Sequence, residues 1–97
     1  MVRALWNGAV IAEAPADAVK VVEGNVYFPP DALDRQYFMP TLQTTRCLWK
    51  GRANYYDIVV NGKANPGAAW YYPSPTILAK RIAGYVAFWQ GVEIQRF

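Results

Sequence analysis

The sequence predicts a mainly β domain, a small antiparallel sheet folded on itself as a sandwich or half-open barrel, with one or two short helices at its ends. Three observations lead there. Short alternating or valine-rich segments recur from VRALW at the start to VEIQRF near the end. Asn-Gly and related turn signals part them about every ten residues, the spacing of a small all-β domain. Only two stretches, DALDRQYF and ILAKRIA, follow helix-start signals, and both are short.

In chain order, VRALWNGAVIAEA reads as a hairpin about Asn7-Gly8, a pair that accepts positive φ in a two-residue turn. AVKVVE, Ala18 to Glu23, is a strand expected to end at Gly24-Asn25, with Val26 to Phe28 continuing after the turn. Pro29 and Pro30 stop it. Asp31 is an N-cap for the first short helix, with Leu33 and Tyr37 on one face at i, i+4. Met39-Pro40 ends that helix, and Pro40 to Thr44 is expected to be a loop. TTRCLWK reads as one strand, and RANYYDIVV as another that reaches Asn61-Gly62. A turn at Asn65-Pro66-Gly67 leads to a returning strand, Ala68 to Tyr72. Ser74 caps the second short helix, with Pro75 at its first position and Gly84 at its far end. Ile77, Leu78 and Ile82 give that helix an apolar side. YVAFW and VEIQRF, parted by Gln90-Gly91, are the final strands.

Composition bounds the function. A chain of 97 residues is expected to be one domain, residues 1–97. Apolar residues make up 54 % and charged residues 18 %, a globular balance far from disorder. There is no histidine, so Ser-His-Asp and Cys-His catalysis lack their base. One cysteine and no histidine leave a structural zinc without ligands, and neither a metal nor a cofactor is expected. MVRALWNG turns polar too early for a secretory signal, and no run suits a membrane span; a reducing cytoplasm is the expected compartment. The net charge of +3 is a mild bias towards anions and argues against a nucleic-acid partner. Self-association is neither required nor excluded.

The stretch TTRCLWKGRANYY, Thr44 to Tyr56, concentrates the chemistry. As a strand it would put Thr45, Cys47 and Trp49 on one face and Arg46, Leu48 and Lys50 on the other. Cys47 and Lys50 are the candidate catalytic residues, a thiol nucleophile or redox centre with a lysine base. Against that, Arg46 and Lys50 would point away from the sulfur, and a lone thiol is among the most buried residue types. Arg46, Lys50 and Arg52 alternate onto one side and could meet a phosphate or carboxylate; the plainer reading is a solvated basic face. Trp6, Trp49, Trp70 and Trp89 all fall on expected strands with tyrosines close by. Converging rings would make an aromatic box for a flat or cationic ligand, whereas scattered rings would be core. Glu23, Asp57 and Glu93 stand alone, with no spacing that marks an acid/base pair.

Several segments together resemble the bacterial family known as domain of unknown function 427. Tyr27-Phe28-Pro29 matches its Y-F-P; Thr45, Cys47, Lys50, Gly51, Ala53 and Tyr55 match its T-x-C-x-x-K-G-x-A-x-Y; Ala69, Trp70, Tyr72 and Pro75 match its A-W-x-Y-x-x-P. Where members often have His after the Thr and Pro after the Cys, this chain has Arg46 and Leu48. The resemblance implies a β-tent, two antiparallel sheets meeting at an angle. It also brings a nucleotidyltransferase-like label, but such an enzyme needs clustered acidic metal ligands, and the acidic residues here are dispersed.

Three functions follow. The first is a small-molecule-binding domain whose pocket is lined by Trp49, Tyr55, Trp70 and Tyr72, with Lys50 or Arg52 orienting an anionic group. The second is an enzyme that uses Cys47. The third, a single-stranded nucleic-acid platform, lacks an RNP-like motif.

Overall fold

A computed structural model describes residues 1–97 and bears out a mainly β domain. Nine strands run β1 (Val2–Trp6), β2 (Ala9–Ala14), β3 (Lys20–Val22), β4 (Asn25–Tyr27), β5 (Phe38–Cys47), β6 (Gly51–Val60), β7 (Lys63–Tyr71), β8 (Val86–Phe88) and β9 (Glu93–Arg96). They form an antiparallel three-stranded sheet in the order β2-β1-β9, a four-stranded sheet β5-β6-β7-β8, and a two-stranded ribbon β3-β4. The ribbon joins the β8 edge through paired backbone hydrogen bonds between Phe28 and Val86, at 2.8 and 2.9 Å. No helix is long and apolar enough to cross a membrane.

The core lies between the two larger sheets. Val2, Ala4, Ile11, Ala12 and Ala14 come from the first, Phe38, Ile58, Val60, Ala69, Val86 and Phe88 from the second, and Phe28 plugs the seam. A smaller cluster occupies the opposite face of the four-stranded sheet: Tyr27, Ala53, Tyr55, Tyr72, Ala79, Ile82 and Ala87. Strand alternation sorts neighbours between the two faces. Tyr56 and Tyr71 pack with the main core, while Tyr55 and Tyr72 belong to the smaller cluster.

The turns at Asn7-Gly8 and Asn61-Gly62 form where expected, with positive φ at both central residues. Other expectations are corrected. The hairpin after Lys20–Val22 turns on Glu23-Gly24, one residue earlier than the expected Gly24-Asn25. The two short helices are 3-10 segments. Pro30–Ala32 and Arg35–Tyr37 replace a helix capped by Asp31, and Ile77–Ile82 is preceded by Thr76 as cap in place of Ser74. Eclipsed 3-10 geometry undoes the apolar stripe: Ala79 and Ile82 are buried, but Ile77 and Leu78 are exposed. Pro40 to Thr44 lies within β5, where an irregular register absorbs the proline on an edge strand. Likewise Asn65-Pro66-Gly67 is part of β7, its irregularity taken up by a shift between Tyr56 and Ile58 and by a Gly67 N–H bond to Asp57 Oδ1 at 2.8 Å.

Candidate functional site

The largest departure from the sequence reading falls in Thr44–Tyr56. TTRCLWK is not one strand: β5 ends at Cys47, Leu48–Lys50 form a tight turn, and β6 starts at Gly51, opposite Cys47. Gly51 has φ +110°, a region that residues with a side chain rarely adopt, which lets the chain reverse there. The reversal redistributes the cations. Arg46 and Arg52 become direct cross-strand partners, and Lys50 is carried to the other face of the sheet among the tyrosines. The expectation that all three cations share a side is therefore corrected, as is the separation of Lys50 from the Cys47 face: Cys47 packs against the cluster that contains Tyr55 and Tyr72.

On that face lies a pocket of about 140 Å³ lined by Lys50, Tyr55, Trp70, Tyr72 and Trp89. Its walls follow from strand register. Tyr55 on β6 sits opposite Trp70 on β7, and Trp70 sits opposite Ala87 on β8. Side chains two apart share a face, which adds Ala53, Tyr72 and Trp89. Ala53 and Ala87 are buried and too small to fill the space beneath the rings. The Trp70 and Trp89 rings meet edge to face at 5.8 Å, and Trp70 meets Tyr27 in the same way at 6.3 Å. Their N–H groups are used within the protein: Trp70 Nε1 donates to Tyr27 Oη at 3.3 Å, and Trp89 Nε1 to the Gly67 carbonyl at 2.6 Å. Tyr55 Oη bonds Thr45 Oγ1 at 2.8 Å. The ring positions are thus fixed without any ligand.

Lys50 is the one buried charged residue, 5 % exposed. Its ammonium donates to Glu23 in the protein's one ion pair, and lies 5.0 Å from the Trp49 ring centroid and 5.8 Å from that of Tyr72. Burial opposes its charge, but the Glu23 carboxylate and the Tyr27 and Tyr72 phenols outweigh that, and its pKa lies above the ordinary lysine value. The hydrogen bond from Lys50 holds Glu23 below the usual carboxylate range. Glu23 reaches Lys50 from the β3-β4 turn with φ 53°, a left-handed conformation uncommon for glutamate. Tyr72 is 6 % exposed, and burial pushes its phenol up to about 12 despite the nearby ammonium.

Of the residues expected at a ligand site, Lys50, Tyr55, Trp70 and Tyr72 come together. Trp49 does not line the pocket; it sits at the turn, partly exposed, beneath the Lys50 ammonium. Arg52 is on the opposite face, in a separate groove. Cys47 is half-buried and forms no part of the pocket wall. Trp89 and Glu23 were missed as site residues. The parity of Trp89 with Ala87 could have found the first, whereas Glu23 lies 27 positions from Lys50, and no local pattern joins them.

Six of the positions that carry the sequence likeness, Tyr27, Lys50, Ala53, Tyr55, Trp70 and Tyr72, come together on this face, while Phe28 and Ala69 belong to the main core. A family model described as a domain of unknown function (DUF427) matches residues 1–96. No curated protein matches the chain. With the match running through nearly every residue, the chain belongs to the DUF427 family.

Proposed function

We propose that this protein is a binding domain for a small planar ligand that carries a hydrogen-bond acceptor. The ring would lie among Tyr55, Trp70, Tyr72 and Trp89, with the Lys50 ammonium and the Tyr72 hydroxyl meeting its polar edge. The observation that carries the reading is a buried lysine set in a wall of four aromatic side chains. Burying an ammonium is costly unless it is partnered, and such groups concentrate at functional sites. Glu23 takes one of the three ammonium N–H donors, which leaves donors for a ligand. A cationic ligand is disfavoured because Lys50 already occupies the cation position over Trp49 and Tyr72. Size limits the ligand further: the pocket's 140 Å³ is close to the roughly 150 Å³ that holds a single benzene ring.

Nicotinamide and benzoate, titrated separately while tryptophan fluorescence is followed, test this. One or both are expected to quench, and Lys50→Met, which keeps most of the aliphatic stem, to weaken binding about tenfold or more. Glu23→Gln is expected to tighten benzoate relative to nicotinamide, because it frees the ammonium for a carboxylate. No response to either probe at millimolar concentration, or unchanged binding in Lys50→Met, rejects the reading.

A further inference from the structure

The opposite face of the β5-β6 hairpin holds a second concavity, about 440 Å³, lined by Arg46, Gly51, Arg52, Asn54 and the segment Pro73–Thr76. We propose that this groove is a separate site for a small, multiply charged oxyanion with a polar body, such as a phosphorylated or polycarboxylate metabolite. It does not depend on the aromatic pocket.

Three features point there. First, Arg46 and Arg52 are directly opposite on adjacent strands, an arrangement that is destabilising for like charges unless something neutralises them. No acid lines the groove, and the one ion pair in the molecule is elsewhere. Arg3, Arg35 and Arg81, by contrast, each donate to an oxygen of the protein, and Arg96, which does not, lines no groove. Two arginines paired across adjacent strands and lining one groove can bring N–H forks to bear on an oxyanion. Second, the remaining lining combines polar groups with two proline rings and is stiff. Ser74 offers a hydroxyl, and Pro73 and Pro75 fix the backbone around it. The Thr76 N–H bonds the Lys50 carbonyl at 2.9 Å and its Oγ1 donates to the Trp49 carbonyl, which ties the rim to the hairpin turn. Third, Asn54 Oδ1, from the same wall, is the only buried side-chain polar atom without a hydrogen-bond partner, and as an acceptor it calls for a hydroxyl or N–H donor on the ligand's polar body, not for the anionic group itself. Unsatisfied groups of this kind are rare in folded proteins and tend to have a functional cause. The volume suits a small organic molecule and exceeds what a single simple ion needs. With the Pro73 and Pro75 rings as the only apolar side chains in the lining, the body of that molecule is expected to be mainly hydrophilic.

The experiment is calorimetric titration with pyrophosphate and with citrate at low salt. It compares the natural chain with Arg46→Gln/Arg52→Gln and with the charge-matched control Lys63→Gln/Arg96→Gln. Neither control residue lines the groove. All the substituted side chains except that of Arg96 are on or beside β5-β6-β7 surfaces, so folding is checked by near-UV circular dichroism. Expected is binding of at least one probe, weakened more than tenfold in the groove variant and less than threefold in the control. Arg52→Lys, which keeps charge but loses the fork, is expected to fall between. Pyrophosphate binding without citrate identifies phosphate as the anion; citrate binding identifies carboxylate, and either supports the site. Equal loss in the two double variants would mean net charge alone and overturn the proposal. Absence of binding to both probes overturns it.

Discussion

Lys50 and Tyr72 are held in opposite regimes of the same pocket, one charged and one neutral, and their titration makes the site readable from stability measurements. A phenol that keeps its proton to about 12 when folded but releases it near 10 when unfolded favours the fold below pH 10. That contribution is lost as pH rises from about 10 to 12, and is on the order of 2 kcal/mol. Lys50 acts in the same direction: its raised pKa stabilises the fold below the ordinary lysine value of about 10.4, and the contribution disappears as pH climbs through the folded value. Glu23 has the opposite sign, stabilising above the ordinary carboxylate range and losing its contribution as pH falls. Thermal midpoints against pH should therefore fall steeply above pH 10. Tyr72→Phe is expected to flatten part of that limb and to change neutral-pH stability by no more than about 1 kcal/mol, since its hydroxyl makes no hydrogen bond within the protein. An unchanged alkaline limb would show that Tyr72 is not the group involved.

At the scale of elements, two turns aim the site. Glu23-Gly24 presents the carboxylate, and Leu48–Lys50 delivers the ammonium. Gly51→Ala is expected to cost about 1–3 kcal/mol, from backbone strain at its positive φ. The added Cβ would meet Pro75 Cα at 3.5 Å, an ordinary contact, so crowding is not the cause. Chemical denaturation measures the loss, and a change within 0.5 kcal/mol would contradict the role given to this reversal. Glu23→Asn tests the other turn. Asn-Gly suits it better than Glu-Gly, but the substitution leaves Lys50 without its acid. The expected result is loss of Glu23's part of the acid-side decline in midpoint, with weaker protection on the alkaline side. Sequence periodicity captured most strands and missed the tight turn in TTRCLWKGR, because no turn pair such as Asn-Gly marks where the run reverses. Gly51 was the available signal.

For the whole molecule, Phe28 fastens the ribbon to both sheets. Its ring meets Phe88 at 5.6 Å, its backbone pairs with Val86, and it is fully buried. Phe28→Ala is expected to cost about 3–5 kcal/mol. A domain of this size has only about 5–15 kcal/mol in total, so the thermal midpoint should drop by roughly 15–30 °C. A drop of only a few degrees would mean that the ribbon contributes little to the fold. Because the ribbon carries Tyr27 and Glu23, the variant should also lose order at the pocket, visible as changed tryptophan emission.

What the sequence determined by itself is local: turn pairs, strand parity and the β class all arise from residues within a few positions of one another. Tyr55, Trp70 and Tyr72 were legible as pocket candidates because aromatic side chains crowd beside a basic cluster in the sequence, whereas their shared face follows from strand register. Long-range packing is what turns Lys50 inward to Glu23, sends Arg52 to a groove with Arg46, and closes the wall with Trp89. Those outcomes depend on where one hairpin reverses and on which strands become neighbours. Burial and pairing across tens of residues set both, and no short window of sequence contains that information.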